Sequence, residues 1–364
     1  MLGIDFFCGA GGTTCGLLSA GVDIICGVDN DLSAKSTYEQ NRRQNGTSCA
    51  FLHKSVPDLT AQDLTLYLAN RGDTPLLFSA CPPCQPFTNL KTDKGAQGDS
   101  AQLALRFLEQ IRRHTPDYVL MENVPGIRHK KYGTIFDEFV EGLENLGYDL
   151  DFGILNARDF GVPQSRRRMI LIASRLDMIS LPEPTHGPYR TLPYVPACTA
   201  FRFPPIPAGG CYPTVLNHRS SNLTDINLRR IQGIHTPGGS RCDWNDEELE
   251  LECYRNHDGH TDVYGRINPV IPSPTLTTRF NSLSNGRFGH PTEDRAISLR
   301  EGAALQTFPD HYIFCAVNMA TIARHIGNAV PVLFATALGH TILLHHARYV
   351  QRHMIATRPL EANE

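Results

Sequence analysis

The sequence predicts an α/β chain built on a mostly parallel β-sheet covered by helices on both faces, with a smaller loop-rich module attached. Two observations predict it. From residue 1 to about residue 175, short apolar runs alternate with polar segments of helical period, each pair separated by a turn. After about residue 176 that pattern stops: prolines crowd positions 182 to 213, and clear periodicity returns only near residue 297. Residues 1–175 and 301–364 are therefore expected to form one large unit, and residues 176–300 a smaller one.

Each element has its own signal. IDFFC (4–8), DIICGVD (23–29), LLFSA (76–80), YVLMEN (118–123), the alternating YDLDFGILNA (148–157) and RMILIAS (168–174) read as strands, with AFLHKS (50–55) a further candidate. LSAKSTYEQNRRQNG, SAQLALRFLEQIRRH and YGTIFDEFVEGLENLG read as helices, the last closed by Gly147. ATIARHIGNAVPVLFATALGHTILLHHARYV is helical again, interrupted around Gly327 to Pro331, and is expected to fold back on the first unit.

Composition narrows the function. The 364 residues are 41% hydrophobic, enough for one large core. No basic leader precedes an apolar stretch, so a soluble, cytoplasmic protein without a membrane partner is expected. Eleven unevenly spaced cysteines do not read as a disulfide framework. A net charge of -3 argues against general polyanion binding but leaves room for a local basic face, and arginines are indeed dense between Arg158 and Arg241.

In parallel α/β sheets, ligands collect at the carboxyl ends of the strands, so the residues after each apolar run matter most. The first run is followed by CGAGGTTCG, the fourth by CPPC, the fifth by ENVPG. Gly9, Gly11, Gly12 and Gly16 let the backbone approach a ligand at a helix N-terminus, and Asp29 is placed to accept hydrogen bonds from a ribose, which suggests a nucleoside-type cofactor. The dinucleotide pattern fails at Thr14.

Three readings fit CPPC. A zinc site would need a second cysteine pair, and none exists, so no metal is expected. A redox pair would want a helix to open directly behind it, whereas a polar loop follows. A single nucleophile on a turn stiffened by Pro82 and Pro83 suits Cys84, and an inert buried thiol suits Cys81 better. Glu122, at the end of a central strand, reads as an acid or base, with a helix cap as its plainer role. In QSRRR, strand alternation sends Gln164, Arg166 and Arg168 to one side and Arg167 to the other.

Taken in order, IDFFCGAGG, PPCQPF, ENVPG, FGVPQSRRRMILIA, YGRINPVIPSPTLTTRF and GNAVP resemble the cytosine-5 DNA methyltransferase family, leaving roughly residues 176 to 260 unmatched. The resemblance implies a Rossmann-like methyltransferase domain at 1–175 and 301–364, a target-recognition domain at 176–300, S-adenosylmethionine as cofactor with S-adenosylhomocysteine as product, and double-stranded DNA as partner. It further implies a monomer, and a restriction endonuclease acting on the same site as companion. By similarity Cys84 is the nucleophile that adds to C6 of a flipped cytosine, Glu122 serves N3, Gln85 and Asn123 support them, and Arg166 and Arg168 meet the flipped nucleotide. Phe6, Gly9, Gly11, Asp29, Asn30 and Asp58 would surround the cofactor, closed by Asn328, Ala329 and Val330. Asp29 stands where many relatives carry Glu, and Asn30 replaces a frequent aromatic. A tRNA-directed enzyme of the same family would carry a Cys-Phe-Thr signature, which is absent. A catalytically silent DNA-binding homologue conflicts with the intact Cys84, Glu122 and Arg166, and an oxidoreductase with the failed dinucleotide pattern.

Overall fold

A computed structural model describes residues 1–44, 46, 49–83, 102–128, 133–252 and 262–356. Seven strands, β1 (Leu2–Phe6), β2 (Asp23–Asp29), β3 (Ala50–His53), β4 (Leu76–Ala80), β5 (Tyr118–Asn123), β6 (Asp149–Asn156) and β7 (Arg167–Ser174), form one sheet in the order β3-β2-β1-β4-β5-β7-β6. The first five are mutually parallel, whereas β7 runs antiparallel to both β5 and β6. No α-helix lies between β6 and β7, only a short 3-10 turn at Ala157–Phe160, so the chain reverses as a hairpin instead of crossing over.

Strand residues alternate between two cores, as the pleat requires. Ile4, Phe6, Phe78, Val119, Met121, Met169 and Leu171 pack on one face beneath α3 (Ala61–Leu68), α4 (Leu103–His114) and α5 (Gly133–Glu144). Ile24, Leu77, Leu120, Ile170 and Ile172 pack on the other, where α1 (Gly12–Ala20), α2 (Leu32–Gln44) and the C-terminal helix α9 (Val332–Ala356) contribute Leu17, Tyr38, Phe334 and Leu338. α9 thus folds back across the sheet. Its approach to α1 depends on Gly16: a Cβ there would lie 2.5 Å from both the Ala335 Cβ and the Val332 carbonyl oxygen.

Among the described residues, 176–300 contain no named strand, one complete α-helix, α6 (Asp225–Gln232), and several 3-10 turns. Buried arginines take the place of a sheet ladder in tying these loops. Arg266 donates to the carbonyls of Ile231, Ile234, His290 and Glu293 and to Asp294. Arg295 makes a two-pronged pair with Glu301 at 2.7 and 2.8 Å. A core of Ala197, Ile267, Leu276, Phe280 and Phe288 joins α7 (Leu299–Leu305) and α8 (Met319–Asn328), and through them Ala10 and Cys15 at the rim of the sheet.

Candidate active site

The site is built at the carboxyl ends of β1, β2, β4 and β5. β1 ends at Phe6 because Phe7 adopts φ 56, and Gly9 and Gly11 follow at φ 49 and 87. This turn carries the chain into α1. Tyr312 Oη donates to the Ala10 carbonyl at 2.5 Å and locks the turn from behind, where a Cβ on Gly11 would sit 2.9 Å from that hydroxyl. Among the described residues nothing lies within 4 Å of a Cβ added at Gly9, so they leave open space there. Beneath it Asp5 is buried and receives Thr14 Oγ1 at 2.6 Å and Ser79 Oγ at 2.7 Å; burial outweighs these donors and pushes its carboxyl up to about 6. Sequence reasoning did not single out Asp5, which stands inside an apolar run.

Asp29 ends β2 with both oxygens engaged, Oδ2 by the Gly9 N–H and Oδ1 by the Asp31 N–H, each at 2.7 Å. Asn30 is exposed beside it. Asn328 is exposed, whereas Ala329 and Val330 pack on the glycine loop: a Cβ on Gly12 would meet the Val330 carbonyl oxygen at 2.8 Å and the Ala329 Cβ at 3.0 Å. Two pocket expectations change. The Phe6 ring is fully buried against Phe78 and Phe107, with centroids 4.9 and 5.1 Å away, because strand alternation turns it into the core; only its backbone reaches the crevice. Half-buried Phe7 is the aromatic at the rim. Asp58 is exposed at the end of a 3-10 turn, three residues past Ser55, whereas Ser55 follows directly on Lys54, whose N–H donates to the Asp29 carbonyl.

At β5, Glu122 pairs with Arg168 Nε at 2.7 Å, both side chains 12% exposed. Asn123 is buried; its amide donates to the Pro82 carbonyl at 3.2 Å and its own carbonyl accepts the Val124 N–H, so the end of β5 holds the start of the CPPC turn. Cys84 and Gln85 lie outside the described residues. Cys81 lies within them: burial, then the Glu122 and Asp5 carboxylates, push its thiol well above the usual range, and Thr13 Oγ1 lies 3.4 Å from its sulfur.

Two of the three arginines of QSRRR divide their work. Arg168 reaches Glu122, whereas Arg166 is 3% exposed and donates to the Leu276 carbonyl at 3.2 Å and the Gly327 carbonyl at 2.9 Å. Arg166 therefore ties the chain before β7 to two other segments. Gln164, fully buried, receives the Leu276 N–H and donates to Gln306, which in turn donates to the carbonyls of Ile326 and Ala329. Of the arginines in the loop-rich part, Arg229 pairs with Asp246 and Glu248, and Arg230 donates to the Leu249 carbonyl and lies over Tyr264, while Arg219 is exposed.

One trio among the described residues, His290, Glu293 and Glu301, brings ligand-type atoms within 4.8 Å. It is poorly suited to a cation. Arg295 occupies both Glu301 oxygens, and His290 Nδ1 accepts two backbone N–H groups, which leaves the proton on the Nε2 that faces the carboxylates.

The model of the C-5 cytosine-specific DNA methylase family matches residues 1–344. The chain belongs to that family. It is 41% identical over 355 residues to the type II methylase M.HgiDII of Herpetosiphon aurantiacus, spanning 96% of this chain and 95% of that one. It is 31% identical over 378 residues to the type II methyltransferase M.XorII of Xanthomonas oryzae pv. oryzae, covering 94% and 84%. Solved structures share the fold: a putative DNA modification methyltransferase encoded within an E. coli prophage (TM-score 0.71, 22% identity, 94% and 99% covered) and the S. pombe Dnmt2 methyltransferase (TM-score 0.61, 20% identity, 96% and 99% covered). The cytosine-5 methylase is thus an S-adenosylmethionine-dependent enzyme that methylates cytosine in DNA in a sequence-specific manner.

Proposed function

We propose that this cytosine-5 methylase extrudes a cytosine from a specific double-stranded DNA sequence and attacks it with Cys84. Support for the reading comes chiefly from the Asn123–Pro82 hydrogen bond, because it fixes the turn leading to Cys84 beside the Glu122–Arg168 pair. A paired base is beyond reach of these groups, so extrusion precedes chemistry. The Cys84 thiolate adds to C6, forming a C–S bond, while Glu122 hydrogen-bonds and protonates N3, so that the electron pair is delivered at C5. S-adenosylmethionine supplies the methyl group and leaves as S-adenosylhomocysteine. Transfer of the C5 proton to a water molecule, with return of the N3 proton to Glu122, then expels the Cys84 thiolate and restores the ring. Arg168 holds the Glu122 carboxylate in place and its charge offsets the negative charge that the thiolate brings.

The cofactor fits the residues present. The space above Gly9 left by the described residues would admit a close ligand, Phe7 offers an aromatic surface at the rim, Asp29 would offer its carboxylate to ribose hydroxyls, and Ala329 and Val330 would wall the far side. Residues 176–300 serve as the target-recognition domain, placing side chains in the major groove, where all base pairs are distinguishable. Type II naming of the relatives supports a companion restriction endonuclease for the same sequence; the proposal includes action as a monomer in the cytoplasm. Incubation with tritiated S-adenosylmethionine and either a random-sequence DNA library or tRNA tests this: label confined to DNA, at one recurring sequence, is expected, and label in tRNA alone would overturn it.

A further inference from the structure

Asp29 is held by a chain of contacts that begins almost three hundred residues downstream. Its two carboxylate oxygens take the N–H groups of Gly9 and Asp31, so the direction in which it points depends on the turn at Asp31. That turn is itself clasped. Arg324 Nη1 lies 2.8 Å from Asp31 Oδ2, Arg324 Nη2 donates to Ser33 Oγ at 3.2 Å, and Ser33 Oγ donates to Asp31 Oδ1 at 2.5 Å. His325 Nε2 stands 3.1 Å from Ser33 Oγ and 3.4 Å from Asp31 Oδ2. Arg324 and His325 occupy the end of α8, the helix that leads directly into Ala329 and Val330 against Gly12. One helix end therefore both walls the cofactor crevice and sets the turn that orients its carboxylate.

We infer that Arg324 is a positioning residue for cofactor binding, acting through Asp31 and Ser33 on the direction of Asp29. This rests on the reading of Asp29 as the ribose-binding carboxylate. Without the clasp the turn at Asp31 samples other arrangements, and affinity falls by the fraction of molecules in which Asp29 is correctly held. The clasp is half exposed, so the effect is bounded to about a two- to fivefold weakening, the range open to a partly solvated ion pair.

The test is calorimetric binding of S-adenosylhomocysteine to the full chain. Arg324→Ala should raise Kd about two- to fivefold, Arg324→Lys should restore part of the loss, and KM for S-adenosylmethionine should rise with Kd while kcat changes less. Arg352→Ala, which removes a comparable exposed pair with Asp177 on α9, should leave Kd unchanged. Because Arg324 acts through Asp31, the Arg324→Ala/Asp31→Asn double variant should bind no worse than the weaker single variant. Wild-type Kd for Arg324→Ala, or full additivity in the double variant, overturns the inference. A wild-type protein that binds no S-adenosylhomocysteine overturns the cofactor reading and this inference with it.

Discussion

Replacing Arg166 by Ala separates a structural arginine from a reactive one. The guanidinium donates to the carbonyl oxygens of Leu276 and Gly327 at 3.2 and 2.9 Å, and the residue is 3% exposed. After truncation neither oxygen regains a partner easily: around Gly327 packing is so tight that a Cβ would lie 2.3 Å from the Thr277 carbonyl oxygen, which leaves little room for water. Each stranded buried acceptor costs about 1–3 kcal/mol, so the pair sums to about 2–6 kcal/mol before the lost packing of the arginine stem is counted. Arg168→Ala removes instead the contact with Glu122 and should lower the single-turnover methylation rate about a hundredfold or more, the scale of a lost charge-stabilising group. Urea unfolding followed by circular dichroism, paired with single-turnover assays well below each unfolding midpoint, measures both quantities. A wild-type midpoint for Arg166→Ala would refute the assignment, as would a wild-type rate for Arg168→Ala.

Three further outcomes follow from the site. Mass spectrometry after brief iodoacetamide treatment at pH 8 should find exposed Cys198, Cys211 and Cys242 alkylated well ahead of half-buried Cys81, because desolvation and two carboxylates keep the Cys81 thiol protonated; alkylation of Cys81 at the same rate would contradict that. Glu122→Gln should fold and bind cofactor yet turn over about a hundredfold more slowly or worse, the usual cost of a lost positioned acid; an unchanged single-turnover rate rules out the acid role. Asp5 takes up its proton at about 6 in the folded chain against 3.8 as an ordinary carboxylate, so its contribution favours folding below about pH 4 and is lost as pH rises through 6. His290, lowered to about 4 mainly by burial, works in the opposite sense over much of that window, so the comparison must be a difference: the stability of Asp5→Asn relative to wild type should rise from pH 4 to pH 6, and a flat difference would remove Asp5 from the account.

Much of this architecture is visible in the linear order of residues because β4, β5 and β7 are short, nearly continuous apolar runs, as strands buried on both faces must be. The interruption at Gly327 to Pro331 likewise marks the break between α8 and α9. α1 leaves a weaker trace in the sequence, since it is buried on nearly all sides and shows almost no polar face. α6 lies in the loop-rich part, whose loops are held by Arg266, Arg295 and Arg300, and an arginine bonded to distant carbonyls leaves no periodic trace. At the site, alternation in QSRRR separates Arg167 from its neighbours, but it cannot distinguish Arg166, one residue before β7, from Arg168, inside β7 and paired with Glu122. The same limit put Phe6 in the pocket: only the φ of 56 at Phe7 reveals that the strand has ended one residue before the rim. Asp31 and Arg324 are 293 residues apart, and nothing local connects them.

The central claim is that Cys84 is the nucleophile and Cys81 a sequestered thiol. DNA containing 5-fluorocytosine at the recognised position tests it most directly, because fluorine at C5 cannot leave as a proton does and the C6 adduct persists. After incubation of the wild-type enzyme with this DNA and S-adenosylmethionine, proteolysis and mass spectrometry should find the nucleotide attached to Cys84, with no adduct in the Cys84→Ser variant. Attachment at Cys81, or the same adduct persisting in Cys84→Ser, would contradict the account.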